Sequence, residues 1–331
     1  MMLLPILQAA QEQYPEHEFC LVSRPYLAPV FDQMKLQFMP AALHKRLKGI
    51  KGLYVLANEI RLGQNPDIVI DAHQVLRSKL INILLRLMGT KIYRIKKNRK
   101  ERAGLTRKKG KVLRPIKPVY QLYLDAFEKA GIPIQFDPKN SPIAPHRLMK
   151  HQESWWQNKK GGYNIGIAPL AAHKAKQWPL EKMRSLMQSL GVSNVKLFLF
   201  GSVDERAELE KLALRSGAHC EVVAGKFSLD QELALIKKMN LMVTMDSSNM
   251  HMAAWAGTKV ISLWGATHPY AGFKAYRQSD LNQLGVSHRD LSCRPCSVYG
   301  NKECWRGDYA CLEGLKHTMV RNHINRLISE S

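Results

Sequence analysis

The chain has 331 residues, 45% hydrophobic and 23% charged, a balance that allows two buried cores without disulfide staples. No apolar run approaches the roughly 20 residues of a membrane-spanning helix, and the opening MMLLPILQAAQEQYP has neither a basic leader nor a small-residue cleavage site, so a cytoplasmic location is expected. Fifty Lys+Arg against 27 Asp+Glu give a formal charge of +23, which favours polyanionic partners: nucleic acid, an anionic membrane surface or a phosphorylated substrate.

Apolar runs alternate with amphipathic stretches, the pattern of βαβ units. Met2 to Gln13 reads as a helix and HEFCLVS as a strand. LYVLANEIRL is helical, PDIVIDA is a strand, and VLRSKLINILLRLMG is an apolar helix closed by Gly89. TKIYRI is a further strand, and residues 118 to 130 form a helix. Between them, Arg94 to Lys117 carries 12 basic residues and one acidic residue, Glu101. A Gly and scattered polar residues mark this stretch as a long loop, either a polyanion contact or a solvated surface. A smaller basic cluster runs through Lys45, Arg46, Lys48 and Lys51.

PIQFDPKNSPIAPH, with four prolines, reads as an inter-domain linker. After it NIGIAPL, VKLFLFG, CEVVAG, LMVTMD and KVISLWG read as five strands, apolar throughout as strands buried on both faces should be. Helices are expected to begin near Pro179, Asp204, Leu229 and Asn249, giving a doubly wound parallel sheet.

The most informative stretch is LMVTMDSSNMHMAAWAGTKVISLWGATHP. A strand ends at Asp246, Ser247 and Ser248 can cap, and a short helix runs to Gly257. Backbone amides of Ser247, Ser248 and Asn249 at the positive end of that helix suit a diphosphate, with His251 one turn in as a further donor. The alternative is an ordinary capped helix with a satisfied core histidine.

D-S-x-x-M-H-x-A-A-x-x-G-T, followed by an apolar strand and W-G-A-T-H-P, resembles the signature of glycosyltransferase family 9, which contains the ADP-heptose:lipopolysaccharide heptosyltransferases. GIAPLAAHKAKQWPLEKM, LFLFGSVDERAE and VVAGKFSLDQELALIKKMNLMVTMD match in order, and QEQYPEHEFCLVSRP and DAHQVLRSKL match more loosely. The resemblance implies an α/β, GT-B-like fold, with two Rossmann-like domains facing across a cleft. Residues 1–145 would receive the acceptor and 146–311 the nucleotide-sugar, while 312–331 would form a C-terminal helix packing back on the N-terminal domain. It further implies inverting transfer of heptose or a related sugar from an ADP-sugar to an anionic lipopolysaccharide-core acceptor. No metal is required for catalysis, and the enzyme would work at the inner face of the cytoplasmic membrane.

Lys176, in K-x-K-Q-W-P, stands at the diphosphate-binding lysine of that family, with Lys174 as the nearby competitor. A cation there stabilises charge that grows as the glycosidic bond opens. Asp246, Ser247, Ser248, Asn249 and His251 are the implied donor-site residues; Ser248 replaces the Gly of the family pattern. Glu205 is a candidate for the ribose hydroxyls, or else a first-turn acid favoured by its helix dipole. Asp71, His73 and Arg77 are candidates for the acceptor, or a solvated helix face. Family members open with a strand and a Gly-Asp loop whose Asp is the catalytic base. Neither precedes MMLLPILQAAQEQYP, so an upstream segment supplying them is expected.

Cys293, Cys296, Cys304 and Cys311 form C-x2-C-x7-C-x6-C, which suits a structural zinc site or a set of reduced thiols. Cys20 and Cys220 sit on apolar strands. Two other functions compete with transfer: a catalytically impaired nucleotide-sugar binder, and a nucleic-acid-binding protein. Nucleic acid is not the expected partner, because the basic stretch has no recognised module or regular aromatic interleaving.

Overall fold

The computed structural model describes every residue except 32–33, 35, 44–46, 148–161, 192–193 and 331. Lys45 and Arg46 of the smaller basic cluster lie outside the described residues. The elements run, in chain order, α1 (Leu4–Gln13), β1 (Cys20–Ser23), β2 (Gln37–Pro40), α2 (Gly49–Gln64), β3 (Ile68–Asp71), α3 (Leu76–Leu87), β4 (Lys91–Arg94), α4 (Arg99–Leu105) and α5 (Val119–Lys129). They continue with β5 (Tyr163–Ala168), α6 (Leu180–Gly191), β6 (Val195–Leu199), α7 (Arg206–Ser216), β7 (Cys220–Val222), α8 (Leu229–Ile236), β8 (Leu241–Met245), α9 (Ser248–Trp255), β9 (Lys259–Leu263), β10 (Gln283–Leu284), α10 (Ala310–Glu313) and α11 (His317–Ser329).

The chain divides into two compact units: Met2–Asn98 with Lys117–Pro142, and Met1, Arg99–Ile116 and Ile143–Ser331. In the smaller unit the four strands form two separate parallel pairs, β1–β2 and β3–β4. One core serves both pairs. Leu56, Ala57 and Ile60 on one face of α2 meet Leu85 of α3, and Val22, Met39, Val69 and Ile92 pack against them from the strands. The i, i+4 spacing of Leu56 and Ile60 is what brings them to that face. Gly89 adopts φ +90 just beyond α3 and turns the chain into β4.

The larger unit holds a six-stranded, all-parallel sheet in the order β10-β9-β8-β5-β6-β7. The five apolar runs supply five of these strands; β10, two residues long, has too little pattern to be read from sequence. Ile165, Ile167, Leu197, Leu199, Val243 and Met245 share a core with Met183, Leu186 and Leu190 of α6, three positions on one helical face. The C-terminal helix α11 buries Val320 and Ile324 in this same core, against α6.

The basic segment also departs from expectation. It is not one long loop: Arg99–Leu105 is helical and belongs to the larger unit. Arg102 explains why. Its buried guanidinium lies 4.6 Å from the Phe273 ring centroid, donates through Nε to the Ala271 carbonyl at 3.2 Å and reaches the Tyr299 hydroxyl at 3.2 Å. Ile116 adds a main-chain bond to the Tyr270 carbonyl at 2.9 Å. One cation of the segment therefore works as an anchor and leaves its neighbours on the surface.

Candidate donor site at the switch point of the sheet

Strands β5 and β8 are neighbours at the centre of the sheet; β6 and β7 extend from one side and β9 and β10 from the other. This is a topological switch point, where the loops leaving two adjacent strands diverge and open a crevice. Lys176 follows β5 in a 3-10 turn, Lys174–Lys176, and Asp246 follows β8 directly. The Lys176 ammonium is 2.9 Å from Asp246 Oδ2 and donates to the Asp246 carbonyl at 3.0 Å. The side chains are 16% and 5% exposed, so water screens this pair little.

The turn is pinned just beyond the lysine. Trp178 is fully buried, its Nε1 donating to the Leu315 carbonyl at 3.1 Å and its main-chain N–H to Met245 Sδ at 3.4 Å. Lys174 goes elsewhere, its ammonium 5.2 Å from the Tyr309 ring. Of the two lysines, Lys176 is the one brought to Asp246.

Helix α9 begins at Ser248, with Ser247 as an extended N-cap residue. Contrary to expectation, Ser247 does not cap through its side chain: its hydroxyl shares a 3.1 Å hydrogen bond with Thr244 Oγ1. Among the described residues the first-turn amides, those of Ser248 and Asn249 included, keep no side-chain acceptor, and they carry the positive end of the helix dipole. Ser248 is absent from the positive-φ residues, so the Gly of the family pattern is not demanded by backbone conformation here.

His251, one turn in, has a buried Nδ1 without a hydrogen-bond partner among the described residues. Burial, followed by nearby positive charge that includes Lys176, holds its pKa down to about 3. The ring is therefore neutral at physiological pH, with one nitrogen to donate and one to accept. Its stability contribution is lost as the pH falls below its ordinary 6.5 toward 3, because the unfolded chain takes the proton first. Glu232, on the first turn of α8, has the opposite sign. Its carboxylate has no ion pair or hydrogen bond among the described residues, and burial raises its pKa from 4.5 to about 8. Stability is lost as the pH climbs through that interval. Glu232→Gln is expected to stabilise the protein by about 2 kcal/mol more near pH 8 than near pH 5, read from denaturant melts.

The segment around the cysteines braces the lysine. Arg294 is buried and donates to the carbonyls of Gly265 (2.7 Å), Thr267 (3.5 Å) and Val286; burial lowers its pKa to about 10, still charged at neutral pH. Cys296 and Ser297 donate main-chain bonds to the Ala266 carbonyl at 3.0 and 3.2 Å, and Ala266 donates in turn to Ala175 at 3.0 Å. A Cβ on Gly265 would sit 2.7 Å from the Ala175 carbonyl oxygen, so the two loops meet backbone to backbone. Gly300, at φ +73, lies against the Lys176 stem, where an added Cβ would come 2.5 Å from Cγ. The contacts that tie Arg294 to Gly265 and Thr267, and Gly300 to Lys176, each span more than 20 residues, which local spacing does not display.

Among the described residues no three His, Cys, Asp or Glu side chains converge as a metal site. The four thiols expected to hold zinc are free. Cys311 is drawn into the sheet core beside Leu312 and Leu315, and burial pushes its pKa up to about 12. Cys304 Sγ is 4.0 Å from Asp308 Oδ1.

The other candidates have local work. Glu205 closes a capping box with Ser202, its Oε2 accepting the Ser202 N–H at 2.6 Å, which occupies one carboxylate oxygen. In the smaller unit Asp71 is buried rather than free to meet an acceptor. It accepts from the His73 and Gln74 amides at 2.9 and 2.7 Å and from Ser78 Oγ and Asn82 Nδ2 at 2.8 Å each. Burial pushes its pKa up, but these bonds outweigh it and hold it below the usual carboxylate value. His73 and Arg77 stay exposed at the start of α3. Desolvation, then the charge of Lys97, lowers the His73 pKa, with Arg24 and Arg77 contributing.

The family model described as "Glycosyltransferase family 9 (heptosyltransferase)" matches residues 56–305, three quarters of the chain. The chain belongs to glycosyltransferase family 9. The family match takes in Lys176, the Asp246–His251 turn and the Arg294 brace, but ends before Cys311. Among curated relatives, "Lipopolysaccharide heptosyltransferase 2" of Escherichia coli (strain K12) is 36% identical over 110 residues, 32% of each chain. "Lipopolysaccharide core heptosyltransferase OpsX" of Haemophilus influenzae is 31% identical over 110 residues, 32% of this chain and 31% of that one. The matched stretch thus spans about a third of the length of these relatives. The family 9 glycosyl transferase structure from Veillonella parvula DSM 2008 superposes with TM-score 0.72 at 19% identity, covering 100% of this chain and 94% of that one. E. coli heptosyltransferase WaaC with ADP superposes with TM-score 0.66 at 19% identity, over 98% and 95%. The α/β fold is thus that of the GT-B-type family 9 glycosyltransferases.

Proposed function

We propose that this family 9 chain carries out inverting transfer of heptose, or a related sugar, from an ADP-activated donor to an anionic lipopolysaccharide-core acceptor. The observation that carries the reading is the Lys176–Asp246 pair at the uncapped start of α9, at the switch point of the sheet. A diphosphate there would meet one ammonium and the first amides of a helix. As the acceptor oxygen attacks the anomeric carbon, the bond to the diphosphate oxygen breaks and that oxygen takes the electron pair. Lys176 and the Ser248 and Asn249 amides stabilise the charge that develops, which is where a fixed cation accelerates the step. Neutral His251 adds a hydrogen bond without a second full charge, and Asp246 holds Lys176 in place between turnovers.

The free oxygen of Glu205 is assigned to a ribose hydroxyl. His73 and Arg77, with Lys97 and Arg24 near them, are assigned to an acidic acceptor sugar. The base that takes the acceptor proton is assigned to no residue of this chain. The similarly folded E. coli heptosyltransferase WaaC is solved with ADP and with ADP-2-deoxy-2-fluoro heptose, which supports the adenine diphosphate over other carriers.

Calorimetry with ADP-heptose, UDP-glucose and GDP-mannose tests the donor. ADP-heptose is expected to bind at least about tenfold tighter than either, the discrimination a few base contacts supply. Equal affinity for all three would end the ADP assignment.

A further inference from the structure

We propose that the surface built by residues 100–114 and Trp305 is a docking face for anionic lipid headgroups, with a cavity that seats one phosphate. The reading goes beyond sugar transfer and does not depend on it. Three observations carry it, all within the larger unit.

First, a cavity of about 230 Å³ opens between α4 and the stretch after it, lined by Lys100, Arg107 and Arg114 together with Gly104, Val112 and Ile116. Glu101 is its single acid. None of the three cations has an ion pair among the described residues, although the same protein pairs Lys117, Lys176 and Lys182 with carboxylates. Three unneutralised cations around one hollow, two of them guanidinium forks, suit a phosphate group.

Second, the next residue along, Lys108, places its ammonium 5.2 Å from the ring of Trp305. That Trp is 52% exposed, whereas Trp178, Trp255 and Trp264 are buried. Val112, which lines the cavity, is 45% exposed as well. An exposed indole beside lysines and arginines is the arrangement that seats at a bilayer interface, with the ring at headgroup level and the cations among the phosphates.

Third, the face is held rather than loose. Buried Arg102 anchors α4 on Phe273 and Tyr299, and Lys111 donates to the Pro295 carbonyl at 2.7 Å. The cations are thereby presented together, which lowers the entropy lost on docking. Among the described residues no helix is long and apolar enough to cross a membrane, so attachment through such a face would be peripheral. Nucleic acid would meet the same charge, but its single-strand sites line several stacking aromatics along a groove. Here, among the described residues, no aromatic side chain lines the cavity, and the Trp305 ring lies beside Lys108.

Vesicle flotation without any nucleotide sugar tests this independently of the donor assignment. The full chain is mixed with phosphatidylcholine vesicles, alone or with phosphatidylglycerol as about a third of the lipid. Binding is expected only with phosphatidylglycerol and is expected to weaken with salt. Arg107→Ala/Arg114→Ala is expected to bind about 25-fold more weakly, roughly fivefold per charge. Trp305→Phe is expected to lose a blue shift in emission that the parent shows on vesicles. All three side chains are exposed, so an unchanged melting temperature certifies the fold of the variants. Equal binding to both vesicle types, or variants that bind like the parent, would overturn the assignment. So would a short DNA duplex that strips the protein from the vesicles at equal phosphate concentration.

Discussion

Lys176→Met is expected to lower turnover with an ADP-sugar by about 10²–10³-fold, the usual cost of removing a group that stabilises the leaving charge. It is also expected to destabilise the protein by about 3 kcal/mol, because it leaves the buried carboxylate of Asp246 without its partner. These two effects separate in the double variant. Lys176→Met/Asp246→Asn removes the stranded charge as well as the cation, so most of the stability should return, while turnover should not. Chemical melts and ADP release measured on the same samples decide it. If the double variant recovered both stability and turnover, Lys176 would serve only to neutralise Asp246, and the diphosphate role would be lost. Asp246→Asn alone is the milder change: Lys176 is the more exposed partner and keeps a hydrogen bond to the Asp246 main chain.

The larger unit is legible because its information is local. Five apolar runs with glycine or serine punctuation became five adjacent parallel strands, and the Trp178-Pro179 pair fixed which lysine follows β5. Asp246 and His251 lie close in sequence for the same reason: a strand, a turn and one helical turn place them within six residues. Local spacing says less where a side chain is committed over a longer or tighter circuit. Asp71 stood at a strand end like Asp246, yet Ser78 and Asn82, seven and eleven residues on, claim its second oxygen. Glu205 was partly readable, since Ser202 three residues before it is the capping-box spacing. The basic segment was misjudged because a run of charge says nothing about which member is buried. Arg102 finds its partners 169 and 197 residues away. The four-cysteine spacing speaks only to what thiolates can bind. The structure shows that what the segment delivers to the site runs through its backbone, Arg294 and Gly300.

That brace gives the other large expected effect. Arg294→Met keeps most of the side-chain volume but withdraws every donor from the carbonyls of Gly265, Thr267 and Val286. Buried acceptors left bare cost about 1–3 kcal/mol each before relaxation, so a loss of about 4 kcal/mol is expected. The damage should not stop at stability. The Gly265-Ala266 loop carries the hydrogen bond to Ala175, beside Lys176, and its release lets the ammonium wander from Asp246. At temperatures where the variant is still folded, donor affinity is therefore expected to fall about tenfold, since a misplaced charge loses much of what a fixed one supplies. Gly300→Ala is the local counterpart. Its φ of +73 is costly for alanine, and the new Cβ has no room beside the Lys176 stem. It should lose about 1–2 kcal/mol of stability, less than Arg294→Met, with a comparable loss of donor affinity. Should both variants melt early yet bind ADP-heptose like the parent, the cysteine segment would stabilise the sheet edge without positioning Lys176.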